Sequence, residues 1–198
     1  MTTKSFFIEV IQWIEAIVIA IVIALVIRGL IFEPVIIDGS SMNNTLFNGD
    51  RVILDKISLA FHDIEVGDIV VIEIEPPSFA SLKFLNNIKW TKKLLPTITG
   101  VDYIKRIVAV GGDTVEVKNG YLYVNGIKQV ESYIKEPQST LPKFIQYPYV
   151  IPNGDYFVMG DNRLHSTDGR EFGAIEKSRI LGIVKFRIWP LGSFGKID

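Results

Sequence analysis

Residues 6–27 read FFIEVIQWIEAIVIAIVIALVI, and a stretch this apolar has few places to go. As a helix, its 22 residues would span roughly 33 Å, close to the ~30 Å hydrocarbon core of a bilayer. The part without any polar residue, 16–27, is only 12 residues long, so a cleavable signal peptide and a buried core helix have to be weighed against a membrane span. A signal peptide needs a basic start and a small-residue cleavage site; here only Lys4 precedes the run and Arg28-Gly29-Leu30-Ile31-Phe32 follows it. A helix packed on a soluble core keeps one polar face throughout, whereas Glu9, Gln12 and Glu15 cover about a third of the circumference at the start and 16–27 is apolar all round. The first turns then either lie among headgroups or meet a partner helix, and a tilted anchor with a solvated start is the simpler of the two. Charge does not orient it: Lys4 and Glu9 offset each other on one side and Arg28 stands on the other.

Behind such an anchor, 198 residues leave room for one domain. We expect residues 1–32 to be the membrane anchor and 33–198 a single water-facing domain. Twenty-one basic and 22 acidic residues give a formal charge of -1, which provides no global field for nucleic acid. The absence of cysteine excludes disulfides, thiolate zinc sites and a cysteine nucleophile. Past the anchor the period changes to two. Residues 35–37, 51–54, 68–75, 103–110, 155–158 and 182–189 all read as strands. Asn119-Gly120 between 114–118 and 121–124 is a strong two-residue hairpin signal, with Asn125-Gly126 closing the second strand. The expected fold is mainly β and antiparallel. Two proline-bearing stretches, about 76–100 and 131–154, read as irregular insertions. In the first, aromatics mix with Lys83, Lys89, Lys92 and Lys93, which suits a membrane edge and equally suits a loop packed on its own domain.

Candidate chemistry is narrow. Only His62 and His165 could serve a Ser-His-Asp triad, and no Gly-x-Ser-x-Gly elbow exists. Nor do two isolated histidines make a metal site, so no metal is expected. A serine activated by lysine remains. Asp38-Gly39-Ser40-Ser41-Met42 is a small-residue turn after a strand, where a hydroxyl can be exposed and backbone amides can point outward. Turns everywhere carry Ser and Gly, so this alone is weak. In a strand, Lys105 shares a face with Tyr103 and Ile107, with Arg106 opposite. Lowering its amine from about 10.4 to 7 or 8 needs roughly 3 to 4 kcal/mol of desolvation or repulsion, and the local sequence alone favours an ordinary strand lysine at a rim. A third cluster, 159–170 (MGDNRLHSTDGR), crowds charges and amides into a loop, which reads as an ion-pair network, a support for a catalytic group, or both.

Taken in order, these pieces resemble the bacterial type I signal peptidases, membrane-anchored Ser-Lys proteases. The resemblance rests on Gly39-Ser40-Ser41-Met42 with Thr45-Leu46; Gly49-Asp50 and Gly67-Asp68-Ile69-Val70-Val71; Tyr103-Ile104-Lys105-Arg106 with Gly112-Asp113; and Gly160-Asp161-Asn162-Arg163 through Ser166, Asp168 and Arg170. It implies an N-terminal transmembrane helix followed by an antiparallel β-sheet catalytic domain with a small β-rich lobe. It further implies Ser41 as nucleophile and Lys105 as general base, with Ser166 hydrogen-bonded to the lysine and Asp161, Arg163, Asp168 and Arg170 supporting the loop. Ile37, Met42, Leu46, Tyr103 and Ile104 fall where the family forms shallow apolar pockets for small side chains. No cofactor is implied. The implied partners are signal peptides of secreted preproteins and the lipid bilayer, with the secretion machinery a further candidate. The implied location is the cell membrane, single-pass, with the catalytic domain on the extracytoplasmic side. Departures from the family pattern are Gly39 in place of a serine that some relatives use as a second oxyanion donor, Asn44 and Gly111 at usual proline positions, and Leu164-His165 in place of an acidic or amide pair. Only 14 residues separate Ile27 from Ser41, at most about 50 Å, so the serine stays near the bilayer. The competing expectations are a specialised processing peptidase of the same chemistry and a non-catalytic, membrane-tethered β domain. A self-cleaving repressor of the Ser-Lys type would need a DNA-binding module where this chain has an anchor.

Overall fold

The computed structural model describes residues 3–75, 101–136 and 139–197. The insertion expected at 76–100, and with it the membrane-edge reading of its lysines and aromatics, lies outside these residues.

The apolar run forms one helix, α1 (Thr3–Leu30). Its stretch Ile8–Leu30, 23 residues, is long and apolar enough to cross a membrane and is not buried against the rest of the chain. From Ile8 to Arg28 every side chain is exposed, the arrangement expected when lipid rather than protein covers the helix. It continues three residues beyond the apolar run, through Arg28 to Leu30, because nothing in Arg28-Gly29-Leu30 breaks a helix outright.

Strand β1 (Phe32–Ile36) follows almost at once. The junction is tied down: the Lys56 N–H donates to Ile31 O at 2.9 Å, and Glu33 pairs with Lys56 at 2.7 Å and Arg28 at 3.6 Å. Beyond it come β2 (Arg51–Asp55), β3 (Ile69–Glu75) and the long β4 (Val101–Val110). A small sheet follows, made of β5 (Thr114–Lys118), β6 (Tyr121–Val124), β7 (Ile127–Lys128) and β8 (Tyr149–Val150) in the order β7-β6-β5-β8. Its turns at Asn119-Gly120 and Asn125-Gly126 all have positive φ, between 52° and 81°, the conformation two-residue hairpins need. The chain then returns through β9 (Asp155–Met159), β10 (Ile175–Glu176), β11 (Ile180–Trp189) and β12 (Gly195–Lys196). The main sheet has eight strands in the order β1-β2-β11-β3-β4-β9-β10, with β12 on β11, and every pairing is antiparallel. Residues 131–136 and 139–154 hold turns and bends besides β8.

Burial on both sides of the main sheet explains its near-continuous apolar strands. One cluster includes Ile37, Met42, Leu46, Leu54, Val71 and Val184. A second, around Val70, Ile72, Ile107 and Val158, lies on the other face. A third, around Val115, Leu122, Phe157 and Met159, joins the small sheet to the large one.

Two of the open edges among the described residues bound one groove. Terminal strand β1 pairs only with β2. The first half of β4 pairs only with β3, because β9 joins it from Arg106 onward. The sheet curls so that both edges flank one groove of about 340 Å³, lined by Val35, Ile37, Gly39, Ser41, Met42, Tyr103, Ile104 and Lys105, with Leu54, Val71 and Leu181 from the strands between.

Candidate active site

After β1 the chain must reverse to reach β2, and it does so through a turn that only particular residues allow. Gly39 has φ 107°, a value strained for any residue with a side chain. Its N–H donates to Asn48 Oδ1 at 3.0 Å, and across the loop neck the Ile37 N–H donates to Asp50 O and the Gly49 N–H to Ile37 O. Ser41 thereby sits at the groove's end. Directly after it a helical turn forms, with the Thr45 and Leu46 amides donating to Met42 O. Asn44 has φ 104°, which a proline could not adopt, so the departure at this position has a backbone reason.

Lys105 arrives from the open half of β4. Its Nζ donates to Ser41 Oγ at 2.8 Å and to Ile104 O at 2.9 Å, and lies 4.9 Å from the Tyr103 ring centre. The residue is 2% exposed. Burial disfavours the ammonium and pushes the amine down to about 8. Asp168 and Asp161 work in the opposite direction, and Lys143 adds to the lowering. A nitrogen that loses its proton near neutrality, in contact with a hydroxyl, can accept that hydroxyl's proton.

Arg106, on the opposite face as expected, makes a buried fork with Asp161 at 2.9 and 2.8 Å, and Asp161 also accepts from Thr45 Oγ1 at 2.5 Å. The loop after β9 is thus fastened to both β4 and the serine turn. Within it Arg170 grips Asp168 through Nε and Nη2, each at 2.8 Å, and the Gly160 N–H donates to the same carboxylate at 3.0 Å. Burial opposes the ionised form of Asp168, but these bonds and the Arg170 charge hold its carboxyl below the usual range. Arg163 donates to Gly160 O, Thr140 Oγ1 and Glu131, while Lys143 donates to Ser166 O and Glu171. Gly160 is required by closeness: a Cβ there would lie 2.3 Å from Ser166 Oγ and 2.5 Å from Ser41 O.

Two expectations need correction. Ser166 Oγ is buried and makes no hydrogen bond to Lys105; its hydroxyl instead helps to hold the Asp168 carboxyl low. Leu46 does not line the groove. It is 0% exposed and packs in the cluster beneath Ile37 and Met42, because the helical turn after Ser41 rotates it inward. Ile37, Met42, Tyr103 and Ile104 do line the groove, and Asp161, Arg163, Asp168 and Arg170 all occupy the supporting loop. His62 and His165 are both exposed. Thr45, Arg106 and Asn162 stand in the motifs quoted above, but sequence reasoning gave none of them a role of its own, although an arginine inside an apolar strand was a signal for the second. It also missed Glu131, Thr140 and Lys143, which sit in a stretch without periodicity.

With this geometry in view, the chain can be set beside known proteins. The family model described as signal peptidase, peptidase S26, matches residues 10–189. Signal peptidase I of Bacillus licheniformis is 35% identical over 194 residues, covering 94% of this chain and 92% of its own. Signal peptidase I of Bacillus amyloliquefaciens is 38% identical over 186 residues, 90% of this chain and 85% of its own. A solved signal peptidase I from Enterococcus faecalis V583 is 26% identical and covers 61% of this chain and 96% of its own, with a TM-score of 0.42. The chain belongs to the signal peptidase family, peptidase S26.

Proposed function

We propose that this protein removes N-terminal signal peptides from secreted preproteins at the membrane surface, with Ser41 as nucleophile and Lys105 as general base. The contact that carries the reading is the 2.8 Å approach of a buried lysine amine to a groove-facing hydroxyl. Neutral Lys105 takes the Ser41 proton as Oγ attacks the scissile carbonyl. The lysine then gives that proton to the departing amine, which leaves an acyl ester on Ser41. Water, deprotonated by the same amine, cleaves the ester and regenerates both groups. The Ser41 N–H stabilises the oxyanion. An extended substrate pairs with the open edges of β1 and β4, main chain to main chain. Ile37 and Met42 are only 4% and 2% exposed, so the depressions they floor are shallow and accept small side chains, in keeping with A-x-A-like sites.

In this reading residues 1–32 anchor the protein and 33–198 form the peptidase domain, which faces the extracytoplasmic side where preproteins emerge. The experiment is cleavage of a signal-peptide-bearing preprotein by the full chain in detergent, with the site mapped by mass. Ser41→Ala and Lys105→Ala lose cleavage while folding persists, and Ser40→Ala keeps it. Full activity in Ser41→Ala overturns the assignment.

A further inference from the structure

The serine turn is held from behind by one residue that makes two bonds. Asn162 Nδ2 donates to Ser40 O at 3.0 Å, and the Asn162 N–H donates to Ser41 O, also at 3.0 Å. Ser40 O takes a further bond from the Asn43 N–H at 3.0 Å. The Ser40 carbonyl belongs to the same peptide unit as the Ser41 N–H, and in a trans peptide the two point in opposite directions. Turning that carbonyl toward Asn162 therefore turns the Ser41 N–H away from it. The two sides of the turn are distinct. Gly39, Ser41 and Met42 line the substrate groove, whereas Asn43, Asn44 and Asn162 line a separate groove of about 240 Å³ behind it. The N–H consequently faces the first groove, where a scissile carbonyl would lie.

Asn162 is itself fixed. Its neighbour Asp161 is clamped by Arg106 and Thr45, and Gly160 lets the loop approach Ser41 more closely than any side chain would permit. A rigid arm thus runs from β4 through Asp161 and Asn162 to the peptide plane that carries the oxyanion donor.

We infer that Asn162 is a positioning residue of the reaction, aiming the Ser41 N–H at the developing oxyanion by holding the Ser40 carbonyl. The inference rests on Ser41 being the nucleophile. It goes beyond that assignment by naming what orients the donor in a chain with Gly39 in place of a donor side chain.

Full-length Asn162→Ala and Asn162→Asp are compared with wild type and Ser41→Ala in detergent. The aspartate variant keeps the side chain's shape and the main-chain bond to Ser41 O but lacks the Nδ2 donor, so it carries the test if the alanine variant fails to fold. Both should lose about 10- to 100-fold in kcat with KM within about twofold, less than the ~10²- to 10³-fold lost when an oxyanion donor is removed outright. The pH midpoint of kcat/KM should stay where wild type has it in Asn162→Ala, because the contacts of Lys105 are untouched, whereas the new carboxylate of Asn162→Asp acts on Lys105 as Asp161 and Asp168 do and should move it upward. A substrate-like peptide ending in an aldehyde, which forms a tetrahedral adduct, should bind more weakly in proportion to the fall in kcat/KM. The same peptide ending in a primary alcohol should bind unchanged. Three results overturn the inference: kcat within about twofold of wild type in both variants while Ser41→Ala is inactive, a loss confined to KM, or equal weakening of aldehyde and alcohol. Continued cleavage by Ser41→Ala removes the underlying assignment and the inference with it.

Discussion

In the proposed mechanism Lys105 is the residue at which folding and chemistry make opposite demands. Its amine is brought from an ordinary 10.5 to about 8 by burial, so at neutral pH the fold must accommodate an ammonium that water would hold more favourably. Between about 8 and 10.5 the unfolded chain binds the proton and the folded chain does not, so stability rises with pH across that window; below it both states are protonated and the full penalty stands. We therefore expect Lys105→Met to stabilise the protein at pH 7 by about 3 kcal/mol, at ~1.36 kcal/mol for each pH unit of the shift. The gain should shrink above pH 8 and disappear near 10.5. Denaturant melts of both proteins from pH 6 to 10 measure this, and a gain that grows with pH would contradict the burial argument. Activity should follow the deprotonated fraction, with kcat/KM climbing about tenfold per pH unit well below the midpoint and levelling off above pH 8. A flat profile from pH 6 to 9 would exclude Lys105 as base.

At the scale of elements, the site is assembled by β4 and the 159–170 loop, which meet through a buried ion pair. Arg106 and Asp161 are 3% and 1% exposed, so Asp161→Ala removes a carboxylate that takes two bonds from a buried guanidinium and should cost about 3 to 5 kcal/mol. Gly160→Ala forces a methyl into space held by Ser166 and the Ser41 carbonyl. It should abolish cleavage more completely than its effect on melting temperature would suggest. Retention of wild-type activity by Gly160→Ala would mean that the turn is not pressed against this loop. Much of the arrangement was legible beforehand, since period-two strands and Asn-Gly turns are local signals, and the crowding of charge at 159–170 announced a network. The remainder depends on contacts that sequence distance hides. Arg163 reaches Glu131 across 32 residues and Thr140 across 23, and Lys143 reaches Ser166 across 23, all from an aperiodic stretch. Leu46 was misplaced because one helical turn after Ser41 decides whether it faces the groove or the core. The Ser166 hydroxyl depends on a side-chain orientation that no pattern encodes.

Considered whole, the molecule is a helix fit to cross a membrane joined to a curled sheet by a junction with almost no slack. Only Ile31 lies between α1 and β1, and Glu33, Lys56 and Arg28 bind the two together. Ser41, 11 residues past Leu30, is within about 40 Å of the helix end even if the chain were fully extended. Inserting Gly-Ser-Gly-Ser after Leu30 should leave turnover of a short soluble peptide within about twofold of wild type. Processing of a preprotein in vesicles should fall, with cleavage spread over neighbouring positions when products are weighed. Unchanged fidelity would show that the junction's stiffness is incidental. If it is not, the protein works as a depth gauge: among several small-residue bonds of equal chemical appeal, it cuts the one that hangs at the right height above the lipid.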